Sequence, residues 1–156
     1  MIRILLVCTG NTCRSPMAEA LLNAKVKAAG LAEEIRVLSA GLAAYGESPA
    51  STHARTAMAG RGLGVAAHRS RQLASELIKA ADVILTMTAA HKRAVAELAP
   101  EAAGKVFTLA EYAGEAKDVA DPFGGDAALY EACAAELERL IEKTWQKIAD
   151  LAGKGE

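Results

Sequence analysis

The chain has 156 residues, 18 basic and 19 acidic side chains, a formal charge of −1 and a 52% hydrophobic content. That length favours one domain over residues 1–156 with a core that needs no staples, and the apolar content excludes a disordered chain. Balanced charge without a Lys/Arg block excludes a nucleic-acid or anionic-membrane binder, and no run nears the ~18 apolar residues of a membrane span.

Residues 2–7 form an apolar run that reads as a buried strand, too short for a signal peptide and followed at once by a polar loop. Residues 16–29 read as a helix, with Ser15 as N-cap, Pro16 at the first helical position and Gly30 just past the end. A second strand is predicted over 35–39, a helix over 52–60, and a third strand over 82–87. A helix over Ala89–Leu98 and a fourth strand over 105–108 follow. A long terminal helix is predicted over 127–149, with Leu129, Cys133, Leu137, Leu140, Thr144 and Ile148 at helical spacing.

Strands that alternate with helices predict parallel βαβ units, and continuous apolar strands suit a sheet covered on both faces. The expected architecture is a small three-layer α/β sandwich. Ligands of such sheets bind beyond the carboxyl ends of the strands, which directs attention to the loop after the first strand. The three cysteines are an odd number without paired metal-ligand spacing, which points to a reducing, cytoplasmic setting rather than a disulfide framework or a zinc site.

The loop after the first strand runs from Cys8 through Thr9, Gly10, Asn11, Thr12, Cys13 and Arg14 to Ser15. A loop that feeds a helix N-terminus can turn successive backbone N–H groups toward an anion, and the helix dipole adds positive potential. Gly10 and Asn11 tolerate left-handed backbone. The sequence lacks both the Gly-Lys-Ser/Thr ending of a Walker A loop and the spacing of a dinucleotide loop. It instead places a thiol at the end of a strand and an arginine six residues later. The loop favours the nucleophilic thiolate of Cys8, Arg14 can grip two phosphoryl oxygens as a fork, and Ser15 can donate to the sulfur. Taken alone, a cysteine at a strand end is a small hydrophobe; in this company it is a candidate nucleophile.

Expulsion of an alkoxide or an amine from phosphorus calls for a carboxylic acid. Asp121, in the segment Asp118-Val119-Ala120-Asp121-Pro122-Phe123-Gly124-Gly125, is the candidate. Its local sequence fits a catalytic loop and a simple Asp-Pro turn equally well. Asp118 and Asp126 are rivals, and Asp126 has the look of an N-cap.

The run from Val7 to Glu19, together with Asp121-Pro122-Phe123-Gly124-Gly125, resembles the low-molecular-weight protein tyrosine phosphatase family. Ser39-Ala40-Gly41, residues 68–72 and residues 82–87 follow in that family's order. The resemblance spans essentially the whole chain. It implies a four-stranded parallel sheet with helices on both faces and a two-step reaction without metal or cofactor. In that scheme Cys8 forms a phosphocysteine, Asp121 acts as acid and then as base, and Arg14 and the amides of residues 9–15 bind the phosphoryl group. Asn11, Ser15, Ser39 and His68 match a polar network that shapes the loop, though His68 also reads as a solvated histidine. Cys13 falls at the spacing of a redox partner that captures oxidised Cys8, or is a buried structural thiol. Cys133 reads as core.

Within that family, Thr12, Thr88, His91 and the Asp-Pro-Phe-Gly-Gly loop look more like the protein arginine phosphatase branch. Tyrosine-directed members carry a bulky aliphatic residue at the position of Thr12, and Tyr45 and Phe123 stand near the positions of their aromatic rim. A threonine hydroxyl can orient a guanidinium leaving group that an aliphatic side chain would leave unpaired, and Phe123 can flank its plane. The expected function is hydrolysis of phosphoarginine on proteins by a monomeric enzyme, with an opposing arginine kinase; phosphotyrosine is the alternative substrate. A thioredoxin-coupled arsenate reductase would need relay cysteines, and none lies between Cys13 and Cys133. A non-catalytic phosphate binder would not need both a thiol and an acid. A Cys–His hydrolase would need a histidine tied to Cys8 by a motif, and His53, His68 and His91 read more simply as loop or helix residues.

Overall fold

The computed structural model describes residues 1–154; the last two residues of the expected 1–156 domain lie outside the described residues. Strand β1 (Ile2–Cys8) is followed by α1 (Arg14–Ala28), β2 (Ile35–Gly41), α2 (Thr52–Ala59), α3 (Ser75–Ala80) and β3 (Val83–Thr86). Then come α4 (Ala89–Leu98), a 3-10 turn (Pro100–Lys105), β4 (Val106–Thr108), the single turn α5 (Leu109–Tyr112) and α6 (Ala127–Lys154). The four strands form one parallel sheet in the order β2-β1-β3-β4.

Alternation along β1 sorts its side chains between two cores. Ile4, Leu6 and Cys8 face a layer made by α1, α2, α5 and α6, where Met17, Leu22, Met58, Leu137 and Leu140 are almost wholly buried. Leu5 and Val7 face the opposite layer, where Ile78 of α3, Val95 of α4 and Ala102 of the 3-10 turn close over Ile84 and Val106. The molecule is therefore the three-layer sandwich that the strand pattern predicts, with helices on both faces.

The ends of α1 differ from the sequence expectation in one respect. Helix α1 begins at Arg14, with Cys13 at its cap and no side-chain cap bond, so Ser15 and Pro16 lie inside the first turn. Pro16 is tolerated there because the first N–H groups of a helix have no intrahelical acceptor. Ser15 is needed elsewhere, as the site geometry shows. Gly30 ends the helix with a left-handed φ of 71°, and its N–H reaches Lys27 O at 3.1 Å.

The buried face of helix α6 also differs from the expected stripe. Leu129 is 55% exposed, and its place in the buried stripe is taken by Tyr130, which leads on to Cys133, Ala134, Leu137, Leu140, Ile141, Thr144 and Ile148. Asp126 does cap this helix, accepting from Leu129 N at 3.0 Å. Among the described residues, no helix is long and apolar enough to cross a membrane.

Candidate active site

The sheet order reverses between β1 and β3, so a crevice opens at their carboxyl ends. Cys8 is the last residue of β1, and residues 9–13 curl over that crevice before α1 starts. The loop is tied from behind. Leu42 N donates to Cys8 O at 3.0 Å and Ala43 N to Thr9 O at 2.8 Å. Gly41 permits this closeness: a Cβ there would sit 2.6 Å from Thr9 O and 3.0 Å from Asn11 N.

Asn11 organises the loop. It is fully buried and is the one non-glycine residue with positive φ among those described, at 58°. Its Nδ2 donates to Ser15 Oγ at 2.7 Å and to Ser39 Oγ at 2.9 Å, and its Oδ1 accepts from Arg71 N at 2.9 Å. The amide is thus fully used on both sides, which fixes its orientation. His68 Nε2 lies 2.7 Å from Asn11 O; a carbonyl only accepts, so His68 carries its proton on Nε2. Ser39 in turn donates to Glu19 Oε1.

The network reaches Cys8 through Ser15. Ser15 Oγ accepts from Asn11 and lies 2.9 Å from Cys8 Sγ, so its own proton is available to that sulfur whenever Cys8 is a thiolate, which can only accept. A hydroxyl aimed at sulfur stabilises a thiolate and supports it again when it leaves phosphorus.

Arg14 is buried at the start of α1. Its Nη1 donates to Val119 O at 3.0 Å, and its Nη2 lies 3.4 Å from Asp121 Oδ2. The carbonyl anchor aims the guanidinium without neutralising it. Asp121 is half exposed at the mouth, and its Oδ1 accepts from Phe123 N at 3.0 Å, the turn expected of an Asp-Pro segment. Asp121 therefore forms the Asp-Pro turn and at the same time faces Arg14. Its rival Asp118 is occupied elsewhere, accepting from Ala89 N at 2.9 Å at the start of α4.

Cys13 points away from this network. Its Sγ is 3.1 Å from Tyr130 Oη and 3.7 Å from Ser51 Oγ. Burial and then the bond to Cys13 push the Tyr130 phenol up. Cys133 is core, and burial raises its thiol to about 12.

Of the predicted rim residues, Thr12 stands partly open on the loop, with its hydroxyl 3.7 Å from Cys13 Sγ. Phe123 is 77% exposed beside Asp121. Tyr45 is 90% exposed, two residues beyond the strand-end segment that ties the loop, and no hydrogen bond joins it to the loop. Thr9 and Gly10 lie on the open side. Sequence reasoning missed Glu19, Arg71 and Val119 as supports; it set Thr88 and His91 with the arginine-phosphatase pattern but gave His91 no more than a place on a loop or helix. His91 is instead buried, with Nε2 2.9 Å from Thr9 Oγ1. The Thr88-x-x-His91 pattern directly after the strand marks the family branch in the sequence, but nothing in it shows the contact with Thr9. Among the described residues no group of three or more His, Cys, Asp or Glu is placed to hold a metal ion.

A cysteine loop with an arginine six residues on, at the head of a four-stranded parallel sheet, defines a class, and comparison with known families agrees. Residues 3–152 match the family described as low molecular weight phosphotyrosine protein phosphatase, and the chain belongs to it. A protein-arginine-phosphatase of Geobacillus stearothermophilus is 47% identical over 147 residues, 94% of this chain and 95% of that protein. A protein-arginine-phosphatase of Bacillus subtilis is 43% identical over 141 residues, 90% and 92% of the two chains. A solved YwlE arginine phosphatase, a variant with a phosphorylated active-site serine, superposes with a TM-score of 0.90 at 40% identity, covering 95% of this chain and 96% of that one.

Proposed function

We propose that residues 1–156 form one phosphatase domain that hydrolyses phosphoarginine on cytoplasmic proteins, with Cys8 as nucleophile, Arg14 as oxyanion clamp and Asp121 as acid and base. The observation that carries this reading is the chain of bonds from Asn11 through Ser15 to Cys8, set beside an Arg14 already aimed by Val119. Geometry of this kind costs no reorganisation when the substrate arrives.

The first step joins Cys8 Sγ to phosphorus and breaks the bond from phosphorus to the guanidino nitrogen, whose electron pair takes the proton of Asp121. A phosphoryl group that engages Arg14 replaces Asp121 as its partner, which frees the carboxylate to hold that proton. In the second step Asp121 takes a proton from water, the water oxygen attacks phosphorus, and the electron pair of the sulfur–phosphorus bond returns to Cys8. Loop amides of residues 9–15 hold the three equatorial oxygens.

Arginine is favoured over tyrosine by Thr12, a half-open hydroxyl on the loop where a guanidinium would leave, and by two relatives that bear the arginine-phosphatase name. Phe123, exposed beside the acid, supplies a ring face for the planar group. Cys13 is proposed as the partner that traps Cys8 oxidised to a sulfenic acid by peroxide, with loss of water and formation of a disulfide. Its bonds to Tyr130 and Ser51 must break first.

The test is kcat/KM on phosphoarginine and phosphotyrosine peptides, with Cys8→Ser as control. We expect preference for phosphoarginine, narrowed at least tenfold by Thr12→Ile. Preference for phosphotyrosine in the parent would reduce Thr12 to a loop variant and overturn the arginine assignment.

A further inference from the structure

The crevice between β1 and β3 is bridged by one side chain from each bank. Register places Val7 opposite Thr86, so the loops after the two strands start side by side. From them, Thr9 Oγ1 and His91 Nε2 meet at 2.9 Å. Thr9 adjoins the nucleophile, and the backbone bond from Ala43 to its carbonyl fixes where its side chain starts. Only the rotation about χ1 and the position of the hydroxyl proton remain free. His91 settles both.

The protonation state of His91 follows from its surroundings. The ring is buried in the first turn of α4, below the Thr88 cap, and its Nδ1 is buried without a partner. A proton on Nδ1, in the other tautomer or in the cation, would be an orphaned buried N–H, at a cost of about 1–3 kcal/mol. The neutral ring with its proton on Nε2 leaves only a lone pair there, which suits the positive end of a helix. Burial and the nearby charge of Arg14 lower His91 to about 4, against the weaker opposing pull of Asp118 and Asp121. Lys92, the other cation on this turn, is engaged by Glu111 across the surface.

We propose that His91 is a positioning residue for phosphoryl transfer: its Nε2–H donates to Thr9 Oγ1, and the Thr9 hydroxyl proton is thereby directed outward to the oxygens of the phosphoryl group on the loop. This rests on the reading of residues 8–15 as the phosphoryl site. Thr9 is exposed, its hydroxyl has no other hydrogen-bond partner in the structure, and one lone pair is already taken by the ring. The proton is therefore free for a ligand. The neutral ring supplies this donor without adding a second cation beside Arg14.

The experiment compares kcat and kcat/KM of the full chain at pH 7 on a phosphoarginine peptide and on p-nitrophenyl phosphate. The variants are Thr9→Val, His91→Phe, the double variant and His91→Gln. Thr9→Val and His91→Phe should each lower kcat/KM about ten- to a hundredfold on both substrates, the range for one hydrogen bond to a charged group. The double variant should be no worse than the poorer single one within about twofold, because both remove the same donor. His91→Gln, whose amide can reach the same oxygen, should recover most of the loss. Losses that multiply, a Thr9→Val variant at the parental rate, or a well-folded His91→Gln as poor as His91→Phe would each overturn the proposal. Should His91→Phe not fold, Thr9→Val and His91→Gln decide alone. Turnover by Cys8→Ser at the parental rate would instead defeat the underlying reading of the loop.

Discussion

Replacement of Asn11 by alanine tests whether the loop is held by its side chain or merely by its backbone path. Asn11 is fully buried and makes three side-chain hydrogen bonds, to Ser15, Ser39 and Arg71. At roughly 1 kcal/mol net for each, their loss removes about 3 kcal/mol. Alanine held at a φ of 58° adds about 1 kcal/mol, since an L residue without a polar side chain gains nothing there. The sum, about 4 kcal/mol, is a large share of the ~5–15 kcal/mol that holds a domain folded. For a chain of this size it corresponds to a fall in Tm of about 8–16 °C.

Activity should suffer by a separate route. Without Asn11 Nδ2, the Ser15 hydroxyl loses the donor that holds its oxygen 2.9 Å from Cys8 Sγ. Asn11→Asp separates the two effects. It keeps the shape and the acceptor for Arg71 N, but it invites the Ser15 and Ser39 hydroxyls to donate to the carboxylate instead. Urea unfolding should show a smaller loss for Asn11→Asp than for Asn11→Ala, while both lose at least tenfold in kcat/KM. An Asn11→Ala variant that unfolds within about 1 kcal/mol of the parent and turns over at its rate would refute the reasoning.

Asp121→Ala should slow release of a guanidine or a phenol of ordinary basicity by about 10²–10³, and release of an acidic phenol far less, because only the poor leaving group needs a proton. A uniform loss across leaving groups in burst kinetics would deny Asp121 the acid role. Stability should also depend on His91. Its folded value of about 4 lies below the ordinary 6.5, so the unfolded chain binds this proton first. The contribution is complete above pH 6.5, declines as the pH falls, and is lost by about pH 4, amounting to about 3 kcal/mol. Urea midpoints for the parent and His91→Gln should converge over that interval; parallel curves would contradict it.

What the sequence made legible was local. Strands β1 and β3 are apolar runs, and the terminal helix shows its period over many turns, so each announces itself within its own length. Helix α3 contributes a single buried side chain, Ile78, over six residues, too little for a period to emerge. The single turn α5 carries a complete capping box, Thr108 with Glu111, but a box without an apolar stripe behind it reads as a turn. Ser15 was misplaced as a cap because capping preference is a statistical property of hydroxyl side chains, whereas here a buried amide and a thiol compete for the same hydroxyl.

The site divides in the same way. Cys8, Arg14 and Ser15 lie within eight consecutive residues, and the chemistry expected of them can be read from spacing alone. The groups that aim them come from afar. Val119 acts through its carbonyl, which no side-chain pattern records, and Arg71 through its N–H. His91 meets Thr9 across 82 positions only because the sheet reverses its order between β1 and β3. Topology therefore decides which distant residue can touch the loop: a motif confined to neighbours in the chain shows Asn11 and Ser15 beside Cys8 but not Val119, Arg71 or His91. Tyr45 and Phe123 differ in how closely the fold holds them to the site. Phe123 is held beside Asp121 by its backbone bond to that carboxylate and is 77% exposed there. Tyr45 has no such tie, and contact with it depends on the path of the substrate protein outside the crevice.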